Sequence, residues 1–301
     1  MFNTKNKFWQ KVQSNVIFIA FAELLIYNVG LLIVYRVRAV LDPFTPLVGE
    51  EYQFGAYYSL YFWLIIPIIM TLVFMRLTCR KALRVFTEGS FKKKLGSWAT
   101  GFALGFLSIA ILDFVGYLSG TRTIVFGEFN WRIIPMLPLV FIQASAEEML
   151  LRGYVPSVME EKHSLDTICF VSGTLFIFHH IINMIYYGFD AMFCLNIFLM
   201  GILYCLYVKW SGNFWISSGA HTGWNYTLLC LIGPGEEGDF PGIIGGTAKS
   251  NIWFYSETGG FQGTIATTVL ISVLIILMLY MIHRRAGKAE IISLKEVSGQ
   301  D

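Results

Sequence analysis

The chain has 301 residues, of which 55% are hydrophobic and only 14% are charged, and its formal net charge is +2. A soluble domain carries roughly 25% charged residues, so this composition excludes an ordinary soluble protein and predicts an all-α, polytopic membrane protein. The small net charge offers no basis for a nucleic-acid partner, and none is expected.

Apolar segments of membrane-crossing length recur along the whole chain. A transmembrane helix needs about 20 predominantly apolar residues. The sequence therefore predicts a single integral-membrane domain over residues 1–301, built as a bundle of about eight transmembrane helices around a buried polar cavity. The predicted spans, in chain order, are Asn15–Tyr35, Tyr57–Leu77, Trp98–Leu118, Trp131–Tyr154, Asp166–Tyr187, Ala191–Lys209, Phe214–Ile232 and Thr264–His283.

The lysines and arginines between these spans are distributed unevenly. With Arg152 left uncounted, 16 fall on the side that holds both termini and five on the other side. Because positive loops stay in the cytoplasm, the sequence predicts a multi-pass protein of the cell membrane with both termini cytoplasmic.

The fourth span ends in three charged residues, within the stretch QASAEEMLLRGY. A charge in hydrocarbon costs several kcal/mol, so such residues are functional candidates. Glu148 and Arg152 are four residues apart on one helical face, which predicts an internal ion pair. Glu147 lies about 100° around the helix from Glu148, and we expect it to point into the cavity as a general base. The alternative is a solvated Glu147 at the cytoplasmic interface.

Two later spans supply the other candidate site residues. His180 belongs to the fifth span, and its neighbour His179 faces a different direction. His221 and Asn225 lie four residues apart on the seventh span, so their side chains share a face. Two hydrogen-bond donors aimed at one point can stabilise an oxyanion. The alternative for each histidine is a hydrogen bond that merely bridges helices.

Glycines and isolated acids complete the intramembrane pattern. Gly101 and Gly105 form a GxxxG pair that lets another helix approach closely. Gly219 and Gly223, beside His221, allow close packing in the same way. The other acidic residues in the interior of predicted spans are Glu23 and Asp113, each isolated in its span. We expect them to be polar groups that help the helices pack.

The motifs EExxxR (Glu147, Glu148, Arg152), FxxxH (Phe176, His180) and HxxxN (His221, Asn225) resemble those of the CPBP family. This family contains the CAAX proteases and bacteriocin-processing enzymes, also called the Abi or type II CAAX prenyl endopeptidase family. The resemblance covers a catalytic core at residues 138–231. It implies an intramembrane endopeptidase whose site opens towards the cytoplasm.

The resemblance also implies roles for the motif residues. Glu147 and His180 would activate a water molecule, His221 and Asn225 would hold the oxyanion, and Glu148 with Arg152 would support the site. The substrate would be a membrane-associated peptide or protein. Nothing in the sequence marks prenyl recognition.

Two mechanisms remain open at this point. Glu147, His180 and His221 could hold Zn²⁺ with one open position, as in catalytic sites with three protein ligands. The chain has no HExxH motif, in which both histidines share a helix face, and a metal-free site with Glu147 as base would use the same residues.

Other functions also remain open. A non-enzymatic immunity or partner-binding protein would need the helix bundle but not Glu147. A transporter could use buried Glu and His as a proton relay, although the chain shows no internal repeat. The sequence does not specify the substrate, the oligomeric state or the role of the Gly-rich loop at residues 233–263.

Overall fold

The computed structural model describes residues 15–41, 52–127, 129–181, 184–185, 188–232 and 243–298. Within these ranges the chain forms α-helices almost throughout, together with one short antiparallel ribbon of β1 (Val125–Phe126) and β2 (Ile244–Gly245). The helices are α1 (Val16–Leu41), α2 (Tyr52–Trp63), α3 (Ile65–Thr78), α4 (Arg84–Thr87), α5 (Phe91–Leu118), α6 (Ile133–Glu148), α7 (Val155–Met159), α8 (Leu165–His179), α9 (Ala191–Ser211), α10 (Trp215–Tyr226) and α11 (Ile265–Ser298).

The predicted all-α, polytopic membrane architecture is confirmed. A helix occupies each of the eight predicted spans. Among the described residues, five helical segments are long and apolar enough to cross a membrane: Tyr58–Thr78, Phe91–Leu118, Ile133–Met159, Ala191–Ser211 and Ile265–Ala286. Helix α8 is apolar but has only 15 residues, and α10 has 12. The number of eight spans therefore stays a prediction.

Prolines account for two irregularities in the helices. Helix α2 ends at Trp63, four residues before Pro67. The ring of Pro67 displaces the Trp63 carbonyl, and its nitrogen has no hydrogen to donate to that carbonyl. Likewise, Pro156 cannot donate to the carbonyl of Arg152. A π-helical turn, Met149–Tyr154, stands at that point between α6 and α7. A second π turn, Thr227–Leu231, follows α10 directly. Single π turns are rare and concentrate at functional sites.

Helices α5 and α10 cross with their backbones in contact. Each glycine pair predicted close helix packing, and the structure places both pairs at this one crossing. A Cβ atom added at Gly101 or Gly105 would lie 2.0 or 2.1 Å from a carbonyl oxygen of α10. One added at Gly219 or Gly223 would lie 2.1 or 2.2 Å from a carbonyl oxygen of α5. No other residue type allows this approach, which sets the position of the helix that carries His221.

We expect Gly105→Ala to lower the free energy of unfolding by about 1–3 kcal/mol, because its methyl group must push α5 and α10 apart. The control is Gly96→Ala on the same helix, where an added Cβ meets no atom within 4 Å. That control should be neutral or stabilising by up to about 1 kcal/mol, because alanine favours the helix. Thermal unfolding of the purified full-length variants makes the comparison. Equal melting temperatures would contradict the close crossing.

Asp113 is not the isolated polar group that the sequence predicted. It forms a buried ion pair with Arg122, with side chains 4% and 1% exposed. The guanidinium of Arg122 also lies over the ring of Phe261, 5.6 Å from its centroid. The partner was missed because Arg122 follows the end of α5 and was assigned to a loop. The side chain of Glu23 lies outside the described part of the chain.

The Gly-rich loop is described only from residue 243 onwards, and residues 233–242 lie outside the description. Its later part is attached to the start of α9. Ser256 donates a hydrogen bond to Asp190, at 2.7 Å, and Asn196 donates to the carbonyls of Gln262 and Thr264, at 2.7 and 2.9 Å. This part of the loop is thus a packed connection to α11.

Candidate active site

The three charges of the EExxxR motif lie where α6 passes into the first π turn. Glu147 and Glu148 are the last residues of α6, and Arg152 lies in the turn. Glu148 Oε1 is 3.0 Å from Arg152 Nη1, with both side chains fully buried. Arg152 Nη2 also donates to the carbonyl of Gly201 on α9, at 3.3 Å. The ion pair expected from the spacing is therefore present, and it fixes this turn against a neighbouring helix.

His221 brings α10 to the two carboxylates. Its Nδ1 lies 3.1 Å from Glu148 Oε1, within hydrogen-bonding distance, and its Nε2 lies 4.0 Å from Glu147 Oε2. A 2.8 Å hydrogen bond between the hydroxyls of Ser145 and Ser218 joins the same two helices. Glu148 thus orients the imidazole, and the second ring nitrogen is turned towards Glu147.

The two oxygens of Glu147 have different surroundings. Oε1 accepts hydrogen bonds from Gln143 Nε2, at 2.5 Å, and from the hydroxyl of Tyr27, at 3.2 Å. Oε2 is buried and, among the described residues, has no hydrogen-bond partner. Asn225 Nδ2 donates to Gln143 Oε1, at 2.9 Å, and so supports the group that holds Glu147. One carboxylate oxygen is held in place while the other faces His221.

Two aromatic rings enclose the charged cluster. The guanidinium of Arg152 lies 4.5 Å from the ring centroid of Phe176 and 5.5 Å from that of Tyr204. The same two rings lie 5.7 and 5.5 Å from the His221 ring. A cation over an aromatic face is stabilised without water. This contact gives a physical reason for the phenylalanine of the FxxxH motif.

His180 stands at the C-terminal cap of α8. Its Nδ1 lies 2.9 Å from the carbonyl oxygen of Phe176, and its ring meets the Phe176 ring edge-on, with centroids 4.8 Å apart. If Nδ1 donates that bond, Nε2 remains an acceptor. Both His180 and His221 interact electrostatically with the Glu147 carboxylate.

His179 and Tyr27 also belong to this cluster, and the sequence did not single them out. The His179 ring is buried, lies 3.7 Å from the Tyr27 ring between centroids and interacts electrostatically with Glu147. Tyr27 is one of 15 tyrosines and lies far from the three motifs. His179 was set aside because only its neighbour fits FxxxH. Only the packing of α1 beside α8 reveals either residue.

The zinc site suggested for Glu147, His180 and His221 stays a prediction. Within the described ranges, no three His, Cys, Asp or Glu side chains are grouped so that they could hold a metal. His180 Nδ1 contacts a backbone carbonyl and His221 Nδ1 contacts Glu148, which are contacts that metal-binding histidines also make through their second ring nitrogen. The chemistry proposed below is written for the chain's own groups.

We expect Tyr27→Phe to lower the free energy of unfolding by about 1.5–3 kcal/mol, the usual value of a hydrogen bond to a charged group. The control is Tyr204→Phe, because the Tyr204 hydroxyl is buried without a partner among the described residues. Thermal unfolding of both purified variants tests this. Equal losses, or a larger loss for Tyr204→Phe, would contradict the role of Tyr27 in holding Glu147.

A family model matches the part of the chain that carries these residues. The model of the family described as type II CAAX prenyl endopeptidase Rce1-like matches residues 129–227. The comparison with curated proteins and the comparison with solved structures each found no match. The matched region runs from just before α6 to the start of the second π turn and contains all three motifs. Residues 129–227 are therefore similar to the type II CAAX prenyl endopeptidase Rce1-like family, which confirms the resemblance to the CAAX proteases over this part of the chain.

Proposed function

We propose that this protein is an intramembrane endopeptidase that hydrolyses a peptide bond in a membrane-associated peptide or protein. The observation that carries the proposal is the buried, unpartnered Oε2 of Glu147, 4.0 Å from His221 Nε2. An unpaired buried acceptor costs about 1–3 kcal/mol. Glu148 Oε2 is also buried without a partner among the described residues, but the Glu148 carboxylate is paired with Arg152, so the oxygen of Glu147 is the one that we assign to the reaction.

Glu147 is the general base in this proposal. Its Oε2 takes a proton from a water molecule as the water oxygen attacks the carbonyl carbon of the scissile bond. The proton then passes to the amide nitrogen as the carbon–nitrogen bond breaks. His180 assists through Nε2, which can accept from the same water when Nδ1 donates to Phe176. Gln143 and Tyr27 keep the carboxylate in the required orientation.

His221 and Asn225 are the oxyanion donors. When both ring nitrogens carry protons, His221 Nδ1 donates to Glu148 and Nε2 donates to the developing oxyanion. The Asn225 amide nitrogen has two hydrogens; one is used by Gln143, and the other remains for the substrate oxygen. Glu148 and Arg152 support the site, since they hold the imidazole and the π turn together.

The substrate class follows from the location of the site. The charged cluster is carried by apolar helices, so the scissile bond must reach it from a peptide that is itself at the membrane. Cleavage of prenylated CAAX substrates is one branch of the family, and processing of unprenylated membrane peptides is the other. The sequence favours the second, whereas the matching family model is described as a prenyl endopeptidase, so substrates of both kinds are to be tested.

The proposal is tested by mass spectrometry of membrane-bound and secreted peptides. Cells carrying the wild type are compared with cells carrying Glu147→Gln at matched protein levels. We expect at least one peptide fragment that is present with the wild type and absent with the variant, and its ends identify the bond that is cut. Metal analysis of the purified protein then separates a zinc-dependent from a metal-free reaction.

Identical peptide profiles across growth conditions would contradict the protease assignment. The alternative would then be a membrane immunity or partner-binding protein of the same fold, in which Glu147 has no chemical role. Cells carrying Glu161→Gln control for general effects of expression, because Glu161 is an exposed carboxylate outside the site. Their peptide profile should match that of the wild type.

A further inference from the structure

A basic segment connects the ends of two membrane-crossing helices. It runs from the last turn of α3 through α4 into the first turn of α5, residues 76–94, and we call it the basic strap. It contains seven lysines and arginines and one acid, Glu88. The basic residues are Arg76, Arg80, Lys81, Arg84, Lys92, Lys93 and Lys94.

Much of this positive charge is not neutralised within the protein. Lys81 pairs with Glu160 and Glu161, at 2.6 and 3.1 Å; these bonds raise its pKa, so it stays charged. Arg84 lies 3.9 Å from Glu88. In the described part of the chain, no carboxylate pairs with the other five. Three of these, Arg76, Lys92 and Lys93, are exposed side chains that we use below.

Exposed apolar side chains lie directly beside these charges. Leu77 is 53% exposed and follows Arg76, whereas Phe91 is 79% exposed and precedes Lys92. Leu95, next to Lys94, is 51% exposed. Cations alternating with exposed apolar residues at the end of a membrane span are typical of the level where lipid headgroups meet acyl chains. A surface for an acidic soluble protein would not require these apolar residues.

The inner face of the basic strap touches the site. Phe86 packs on the ring of Phe214, with centroids 4.8 Å apart. A Cβ atom added at Gly153, inside the first π turn, would lie 2.5 Å from the Phe86 ring. The basic strap therefore rests directly on the turn that contains Arg152.

We propose that the basic strap is a binding site for the headgroups of anionic phospholipids. Each lysine or arginine near an anionic surface contributes about 1 kcal/mol, which corresponds to about a five-fold change in affinity. Headgroups bound here hold the strap, and through Phe86 the π turn, in place. The proposal concerns binding alone and does not depend on the peptidase reaction.

The test is thermal unfolding of the full-length protein in neutral detergent, titrated with phosphatidylglycerol or with phosphatidylcholine. The variant is Arg76→Gln/Lys92→Gln/Lys93→Gln. The matched control is Arg36→Gln/Arg38→Gln/Lys249→Gln, which removes the same number of charges elsewhere on the molecule. We expect phosphatidylglycerol to stabilise the wild type and the control equally. The strap variant should need about 10²-fold more phosphatidylglycerol for the same stabilisation.

Three outcomes would overturn the proposal. Phosphatidylcholine could stabilise the wild type as well as phosphatidylglycerol does, or the strap variant could respond like the control. Alternatively, a poly-glutamate peptide could stabilise the protein in a strap-dependent manner where phosphatidylglycerol does not, which would assign the surface to an acidic protein partner. Raising the salt concentration should weaken the lipid effect, because exposed charges are screened within about 10 Å at 0.1 M ionic strength.

Discussion

Glu147→Gln is expected to lower turnover by about 10²–10⁴-fold, the usual contribution of a general base, while the helix bundle stays folded. The amide is nearly the same size as the carboxylate, and its oxygen can still accept the hydrogen bonds from Gln143 and Tyr27. Only the ability of the buried oxygen to take a proton is lost. Because a charge is removed from a buried site, stability should be unchanged or higher.

The measurement combines two readouts on the same purified protein. Cleavage of a substrate fragment found by the peptide comparison gives turnover, and thermal unfolding gives stability. Glu161→Gln removes an exposed carboxylate and should change neither. Full activity of Glu147→Gln would refute the general-base assignment, and a large loss of stability would indicate a structural role instead.

Arg152→Ala should lower the free energy of unfolding by about 3–5 kcal/mol, because it leaves Glu148 as an uncompensated buried charge. It also removes the cation from the space between Phe176 and Tyr204 and the donor to Gly201. The free energy of unfolding of a typical protein is only about 5–15 kcal/mol, so we expect a strongly reduced yield of folded protein.

The chain offers a matched control for this substitution. Arg84 and Glu88 have the same type of i, i+4 spacing as the pair at the site, but their side chains are 72% and 71% exposed. Arg84→Ala should cost no more than about 0.5 kcal/mol, since exposed ion pairs contribute little. Yield and melting temperature of both variants are compared in neutral detergent. An Arg152→Ala protein as stable as Arg84→Ala would contradict the buried ion pair.

Much of the fold could be predicted because apolar length is a strong signal. Each predicted span contains a helix, and the two glycine pairs marked a crossing that the structure shows. Interruptions were harder to predict. A π turn after Glu148 depends on Pro156 and on the packing of Arg152 against Gly201. Neither effect produces a periodic pattern of residues in the sequence, so the fourth span was predicted as one continuous helix.

The site was predictable in part for a similar physical reason. Charges in apolar helices stand out, so Glu147, Glu148, Arg152 and the histidines could be named from the sequence. Their arrangement could not be predicted, because Glu148 contacts both Arg152 and His221. Tyr27 stands in an ordinary apolar stretch of the sequence and contacts Glu147 only because α1 packs beside α8.

The contact between α5 and α10 determines whether residues 129–227 could be transferred to another protein without the rest of the chain. Helix α5 and the segment that carries Tyr27 both end before residue 129. Helix α5 packs on the backbone of α10, and Tyr27 donates a hydrogen bond to Glu147. A fragment or chimera limited to residues 129–227 would lack the partner backbone that receives Gly219 and Gly223. Grafting this region into another bundle would therefore require a helix with glycines at matching positions. The candidate site residues and the distant groups that support them would have to be transferred together.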